Sequence, residues 1–92
     1  MHVITENDAL LAFSERLRQW PAITVDTEFL RDRTFWPKLC LLQFATPDEA
    51  CAVDPLANGI DLSPIYEVLR DSRVIKVFHA ARQDLEIFYH QM

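Results

Sequence analysis

Three β-forming runs succeed one another in this chain, with connections too short to hold a helix between them. Ala22 to Leu30 is rich in Ile, Val, Thr and Phe, Lys38 to Thr46 is more apolar, and Glu49 to Val53 completes the set. A parallel return needs a crossover of a dozen or more residues, so runs this close pair as an antiparallel meander. Beyond Val53 the rhythm changes. Asp61-Leu62-Ser63-Pro64 opens a helix, with Pro in its first turn and Ile65, Val68 and Leu69 as its buried face, and Arg73 to Phe78 is a fourth strand. A helical crossover sets that strand parallel to the first of the meander. Ahead of the meander, His2-Val3-Ile4 reads as a short edge strand, and a helix carries Leu10, Phe13, Leu17 and Trp20 at three- and four-residue spacing until Trp20-Pro21 ends it. Thr5 with Asp8 has the spacing of a capping box. Ala80 onward is a terminal helix. The expected class is α/β: a mixed sheet of a three-strand antiparallel meander plus a parallel strand, with flanking helices.

Composition narrows the function classes. The chain has 92 residues, 50% of them hydrophobic and 25% charged, which fits one small folded unit and excludes a disordered segment. No apolar run approaches the roughly 18 residues of a membrane span. The first residues have neither a basic start nor an apolar signal core, so the expected compartment is the cytoplasm. The formal net charge of −5 excludes whole-surface attraction to nucleic acid. Phosphate chemistry would then need recruited divalent cations or a local cluster of basic residues. The two cysteines, Cys40 and Cys51, sit in strand-like runs. A turn at Thr46-Pro47-Asp48 puts Cys51 opposite residues 43–44, which makes a disulfide geometrically poor, so buried free thiols are expected. The closing stretch from Asp84 to Met92 reads as a helix without a C-cap signal, and the chain is expected to be a piece of something longer.

Three carboxylates break the hydrophobic pattern. Asp26 and Glu28 are two apart on one strand and project from the same face. Asp84 lies inside the apolar stripe Ala81, Leu85, Phe88 of the last helix. Carboxylates pushed toward a core cost several kcal/mol unless paired or coordinated. Their convergence calls for a cation, and hard oxygen donors favour Mg²⁺ or Mn²⁺. A plainer reading has Asp26 and Glu28 facing water on an edge strand and Asp84 near a helix N-terminus. His79 ends a strand just before that helix, where it is either a ligand-facing residue or a structural hydrogen-bonding histidine.

The motifs resemble those of a known family. Val25-Asp26-Thr27-Glu28-Phe29 resembles the first motif of the DEDD-superfamily 3′→5′ exonucleases, and Lys76-Val77-Phe78-His79 with Asp84-Leu85 resembles their second. Lys38-Leu39-Cys40-Leu41-Leu42-Gln43 and the preceding Arg31-to-Pro37 stretch are most similar to the ribonuclease D type. The resemblance implies a ribonuclease H-like fold and two-metal hydrolysis of RNA from its 3′ end to 5′-mononucleotides, in tRNA and other RNA 3′ processing. It implies two divalent ions, Mg²⁺ or Mn²⁺. Asp26 would bridge them, Glu28 would hold the ion serving the attacking water, and Asp84 would support the other. His79-x-Ala81-x-x-Asp84 also has the spacing of a histidine-type third motif. That reading would need Asp54 or Asp61, both loop-like, as the second motif, and the strand leading into His79 favours the second-motif reading.

The family's third motif, which carries a fourth carboxylate and a Tyr or His, has no match in residues 1–92. At its offset Tyr66 is followed by Arg70, and Tyr89 by nothing. The chain therefore reads as the N-terminal part of a 3′-5′ exonuclease domain, without the third motif or the helical RNA-binding domains, and with weak or no activity alone. The expected partner is the 3′ end of single-stranded RNA, tRNA precursors included, with no membrane involved. Arg31 and Arg33 bracket Phe35 and Trp36 with Lys38, a pairing of phosphate-binding cations and base-stacking rings. A solvated loop with Trp36 folded onto the sheet is the alternative. Gln43, His79 and Arg82 complete the candidate substrate contacts. Two other functions fit the same scaffold: a DNA-directed proofreading exonuclease, and a non-catalytic nucleic-acid or protein-binding module.

Overall fold

The computed structural model describes residues 2–30 and 38–78. Seven elements are formed: β1 (His2–Ile4), α1 (Asn7–Leu17), β2 (Ala22–Leu30), β3 (Lys38–Ala45), β4 (Ala50–Val53), α2 (Ser63–Arg70) and β5 (Ile75–Phe78). The strands make one sheet in the order β1-β4-β3-β2-β5. β2, β3 and β4 are the expected antiparallel meander, and the α2 crossover brings β5 parallel to β2. β1 closes the other edge, parallel to β4. The fold class expected from the order of runs is the one found.

One face of the sheet carries the core. Strand alternation sends Ile23 and Val25 of β2, Leu42 and Phe44 of β3 and Cys51 and Val53 of β4 inward, where they meet Leu10, Phe13 and Leu17 of α1 and Ile65 and Val68 of α2. The three α1 residues are fully buried, as their spacing on one helix face requires. Phe13 and Phe44 pack edge to face with centroids 6.2 Å apart. Ser14 is the buried polar residue of this layer, and its hydroxyl donates to the Leu10 carbonyl at 2.7 Å.

Several local details differ from what the sequence pattern predicts. The Thr5–Asp8 box does not form. α1 starts at Asn7 behind Glu6, with no side-chain cap. Asn7 is instead committed across the molecule, donating to the Gly59 carbonyl (3.1 Å) and accepting from the Asp61 amide (2.7 Å). α1 also stops at Leu17, before Trp20-Pro21, because Gln19 and Trp20 turn back onto the Arg16 and Leu17 carbonyls. β5 begins at Ile75 and not at Arg73, because Asp71 accepts from the Arg73 amide and holds 71–74 in a turn. Asp61 caps α2 from outside, taking the Ser63 amide at 2.9 Å and its hydroxyl at 2.6 Å. Cys51 is buried and free, and faces Phe44 in the register predicted from the turn. Burial pushes its thiol above the ordinary range. The side chain of Cys40 and the terminal helix from Ala80 lie outside the described residues.

Candidate functional site

The opposite face of the sheet has no helix on it among the described residues, and the acidic pair stands there. With Ile23 and Val25 turned into the core, alternation along β2 puts Thr24, Asp26 and Glu28 on this open face, all exposed. Residues two apart on a strand have Cα atoms about 6.7 Å apart, so the two carboxylates stand side by side. β2 lies between β3 and β5, but β5 pairs with it only from Ala22 to Val25. Of the two sequence-based expectations, the exposure belongs to the plainer one, and the convergence with Asp84 lies outside the described residues. The carboxylates face water, as the plainer one has it, and are not pushed into a core. They do so from the part of β2 that pairs with β3 beyond the end of β5, so among the described residues it is held on one side.

The register specifies their surroundings. Asp26 pairs with Gln43 and Glu28 with Leu41 on β3, and directly after Glu28 the pairing slips by one residue, to Phe29 with Leu39. Such a bulge bends the strand and strengthens its twist, a device common beside active sites. On the other side, β5 runs parallel to β2 and its last pair is Phe78 with Val25. β5 therefore ends level with the residue just before Asp26. Asp26 Oδ1 accepts the Thr27 amide at 2.9 Å, which orients the carboxylate locally. Neither Asp26 nor Glu28 has a cationic partner among the described residues, where the ion pairs are Arg16–Glu49, Arg18–Asp71, Arg70–Glu67 and Arg73–Asp71.

These four pairs lie away from the carboxylates and serve the scaffold. Asp54 and Asp61, the alternative second-motif candidates, are turn residues whose carboxylates accept the Leu56 and Ser63 amides. Among the described residues no group of three His, Cys, Asp or Glu side chains gathers as a metal site. The pair Asp26–Glu28 is what these elements contribute, an oxygen-only donor set suited to a hard divalent cation. Asp84, His79, Arg82, Arg31, Arg33, Phe35 and Trp36 fall outside the described residues. Gln43 is half-buried on the open face.

Thr27 is a residue that sequence reasoning does not single out. Its hydroxyl is on the core side between the two carboxylate positions, buried, with no hydrogen-bond partner among the described residues. Nothing in the sequence signals this, because Thr is an ordinary β-former. Below the carboxylates, the open face carries a shallow apolar hollow of about 260 Å³ lined by Ala22, Thr24, Ala45 and Val77 among others.

Comparison with known proteins gives a consistent result. A family model described as a 3′-5′ exonuclease matches residues 1–92. Proteins named Ribonuclease D from Nitrobacter hamburgensis and Gluconacetobacter diazotrophicus are 54% identical over 91 residues and 56% identical over 88. These alignments cover 99% and 96% of this chain but 24% and 22% of those proteins, so the chain spans about a quarter of their length. The crystal structure of Escherichia coli RNase D, an exoribonuclease involved in structured RNA processing, superposes with a TM-score of 0.87 at 42% identity, over 97% of this chain and 24% of that one. RNase D has a ribonuclease H-like fold, and the five-strand mixed sheet of this chain matches it. Trypanosoma brucei RNase D in complex with RNA U12 shares the fold at 21% identity, with a TM-score of 0.81 over 98% of this chain and 33% of that one.

Proposed function

This chain belongs to the 3′-5′ exonuclease family, which is metal-dependent, and from that premise we propose that residues 1–92 supply the N-terminal part of the exonuclease domain of a ribonuclease D-like exoribonuclease. The activity is assigned to the protein that carries this chain. It removes 5′-mononucleotides from the 3′ end of single-stranded RNA in the cytoplasm, tRNA precursors among its substrates. In each cycle a water gives up one proton to solvent as its oxygen joins the terminal phosphorus. The bond from that phosphorus to the 3′ oxygen of the preceding nucleotide breaks, and the 3′ oxygen takes up a proton.

The observation that carries this reading is the Asp26–Glu28 pair: two carboxylates on one strand just past the end of β5, exposed, side by side and without a cationic partner among the described residues. Their donor chemistry fits Mg²⁺ or Mn²⁺. Two such ions, when bound, supply activation of the water and neutralisation of charge at the leaving oxygen. The chain's own part is positional. Asp26 and Glu28 would hold the ions from a stretch of β2 fixed by its pairing with β3. Asp84 is the third ligand of this proposal. It follows β5 by six residues in the sequence, and β5 ends beside Val25, the residue before Asp26. Arg31, Arg33 and Arg82 meet backbone phosphates, Phe35 and Trp36 stack on unpaired bases, and Gln43 and His79 contact the terminal nucleotides.

The test is digestion of single-stranded RNA labelled at its 5′ end by the protein carrying this chain, with Mg²⁺ or Mn²⁺ and with chelator. A metal-dependent ladder shortening from the 3′ end is expected, and faster loss of RNA than of DNA separates the ribonuclease from a DNA-directed relative. An inactive protein in both metals overturns the proposal.

A further inference from the structure

Gln43 stands out as the polar side chain of β3 on the open face. Leu42 and Phe44 on either side of it are 0% and 1% exposed in the core, while Gln43 is half-buried on the other side of the sheet. Its open-face neighbours are Leu41 and Ala45 along β3, Ala52 across on β4 and Asp26 across on β2. Three of the four are apolar. Its carboxamide has no hydrogen-bond partner among the described residues, and the Asp26 carboxylate across from it on β2 accepts the Thr27 amide. The amide is partly exposed and without a protein partner among the described residues, so it is available to a ligand lying on this face.

The described polar positions of the open face, Thr24, Asp26, Glu28 and Gln43, are contiguous, and around them lie Val3, Leu41, Ala45, Ala52, Ile75 and Val77. A substrate held at Asp26 and Glu28 therefore passes within reach of the amide, since directly opposed residues have Cβ atoms about 5 Å apart. The groups such a substrate offers there are phosphate oxygens and sugar hydroxyls. A neutral carboxamide, with one donor group and one acceptor group, complements a hydroxyl, which also donates and accepts; a phosphate site selects a cation. The 2′-hydroxyl distinguishes RNA from DNA. We infer that Gln43 is a specificity-determining residue, its carboxamide hydrogen-bonding the 2′-hydroxyl of a ribose flanking the scissile linkage. This rests on the exonuclease reading and adds the sugar discrimination to it.

The experiment compares the protein carrying this chain with its Gln43→Leu and Gln43→Asn variants on all-RNA oligonucleotides and on the same oligonucleotides with a single 2′-deoxy sugar at the last or the penultimate position. One deoxy substitution is expected to lower wild-type kcat/KM roughly 5- to 100-fold, the range for an unsatisfied neutral group. Gln43→Leu is expected to lose a similar factor on all-RNA and to become indifferent to that deoxy sugar, with partial recovery of discrimination in Gln43→Asn. A Gln43→Leu variant that keeps the wild-type ratio at both positions overturns the inference. So does one that loses equally on every substrate, which would make Gln43 a support for Asp26. A wild-type protein inactive on all of them would instead overturn the exonuclease reading itself.

Discussion

At the scale of single residues, the acidic pair and the threonine between them have opposite relations to stability. Asp26 and Glu28 face solvent and take no part in the core, so their removal is expected to leave stability largely unchanged. Asp26→Asn is expected to lower nuclease activity of the protein carrying this chain by about 100-fold or more, while its unfolding free energy stays within about 0.5 kcal/mol of wild type. Denaturant titration alongside the RNA assay checks both halves. Thr27 is the reverse case. Its buried hydroxyl lacks a partner among the described residues, and Val has the same shape without the polar group. Thr27→Val is expected to stabilise by about 1 kcal/mol, read as a shift of the denaturant midpoint. The spacing of Asp26 and Glu28 is legible in the sequence because strand alternation follows a strict period of two. The Thr27 orphan is not, because hydroxyl satisfaction depends on neighbours that come close only through the fold. The depth of the carboxylates escapes the sequence for a related reason: a pattern names a face but does not say what covers it.

Among the elements, each regular run of apolar residues within the described chain corresponds to a helix or strand, and the misses fall at ends. α1 illustrates why. Its stripe of Leu10, Phe13 and Leu17 can be read from spacing, but its N-terminal boundary depends on Asn7, whose side chain reaches the loop before α2. A local capping motif cannot reveal a partner more than fifty positions away. Asn7→Ala removes both hydrogen bonds between α1 and that loop and leaves the Gly59 carbonyl and the Asp61 amide to water. A loss of about 1–2 kcal/mol is expected, with faster amide exchange at Asp61 as the local signature. The start of β5 is misplaced by sequence reasoning for the same kind of reason, since Asp71 captures the Arg73 amide and guanidinium and keeps 71–74 in a turn.

For the whole molecule, charge placement sets the response to acid. Asp71 joins the turn before β5 to the end of α1 through Arg73 and Arg18. Hydrogen bonds from Arg73, with Arg18 adding to them, hold its carboxyl well below the usual carboxylate range. Arg16 does the same, less strongly, for Glu49 at the β3–β4 turn. A carboxyl whose folded value is depressed contributes stability that is fully present above its unfolded value of about 4 and is lost as pH falls through the folded value. The melting temperature is therefore expected to decline from about pH 5 downward, and Asp71→Asn to flatten that decline while lowering stability at neutral pH. A decline of the same slope in the variant would assign the acid response elsewhere. The topology behind these contacts is legible at this scale, since short connections force a meander and a helical one forces a parallel strand. Which face stays open is not, because alternation alone leaves the two sides of a sheet equivalent.

The parallel pairing of β1 with β4 has a consequence in time. His2 is matched with Cys51 and Ile4 with Val53, and the Asp54 amide closes on the Ile4 carbonyl at 3.0 Å. During synthesis β1 thus leaves the ribosome well ahead of the neighbour it must wait for, and at about 5–20 residues per second that wait is roughly 3 to 10 s. Throughout it the edge of β1 is unpaired, while α1 can already pack on β2 and β3, which emerge before β4. The nascent chain passes through an interval in which the edge of β1 is open for pairing, and the interval ends only when β4 has emerged.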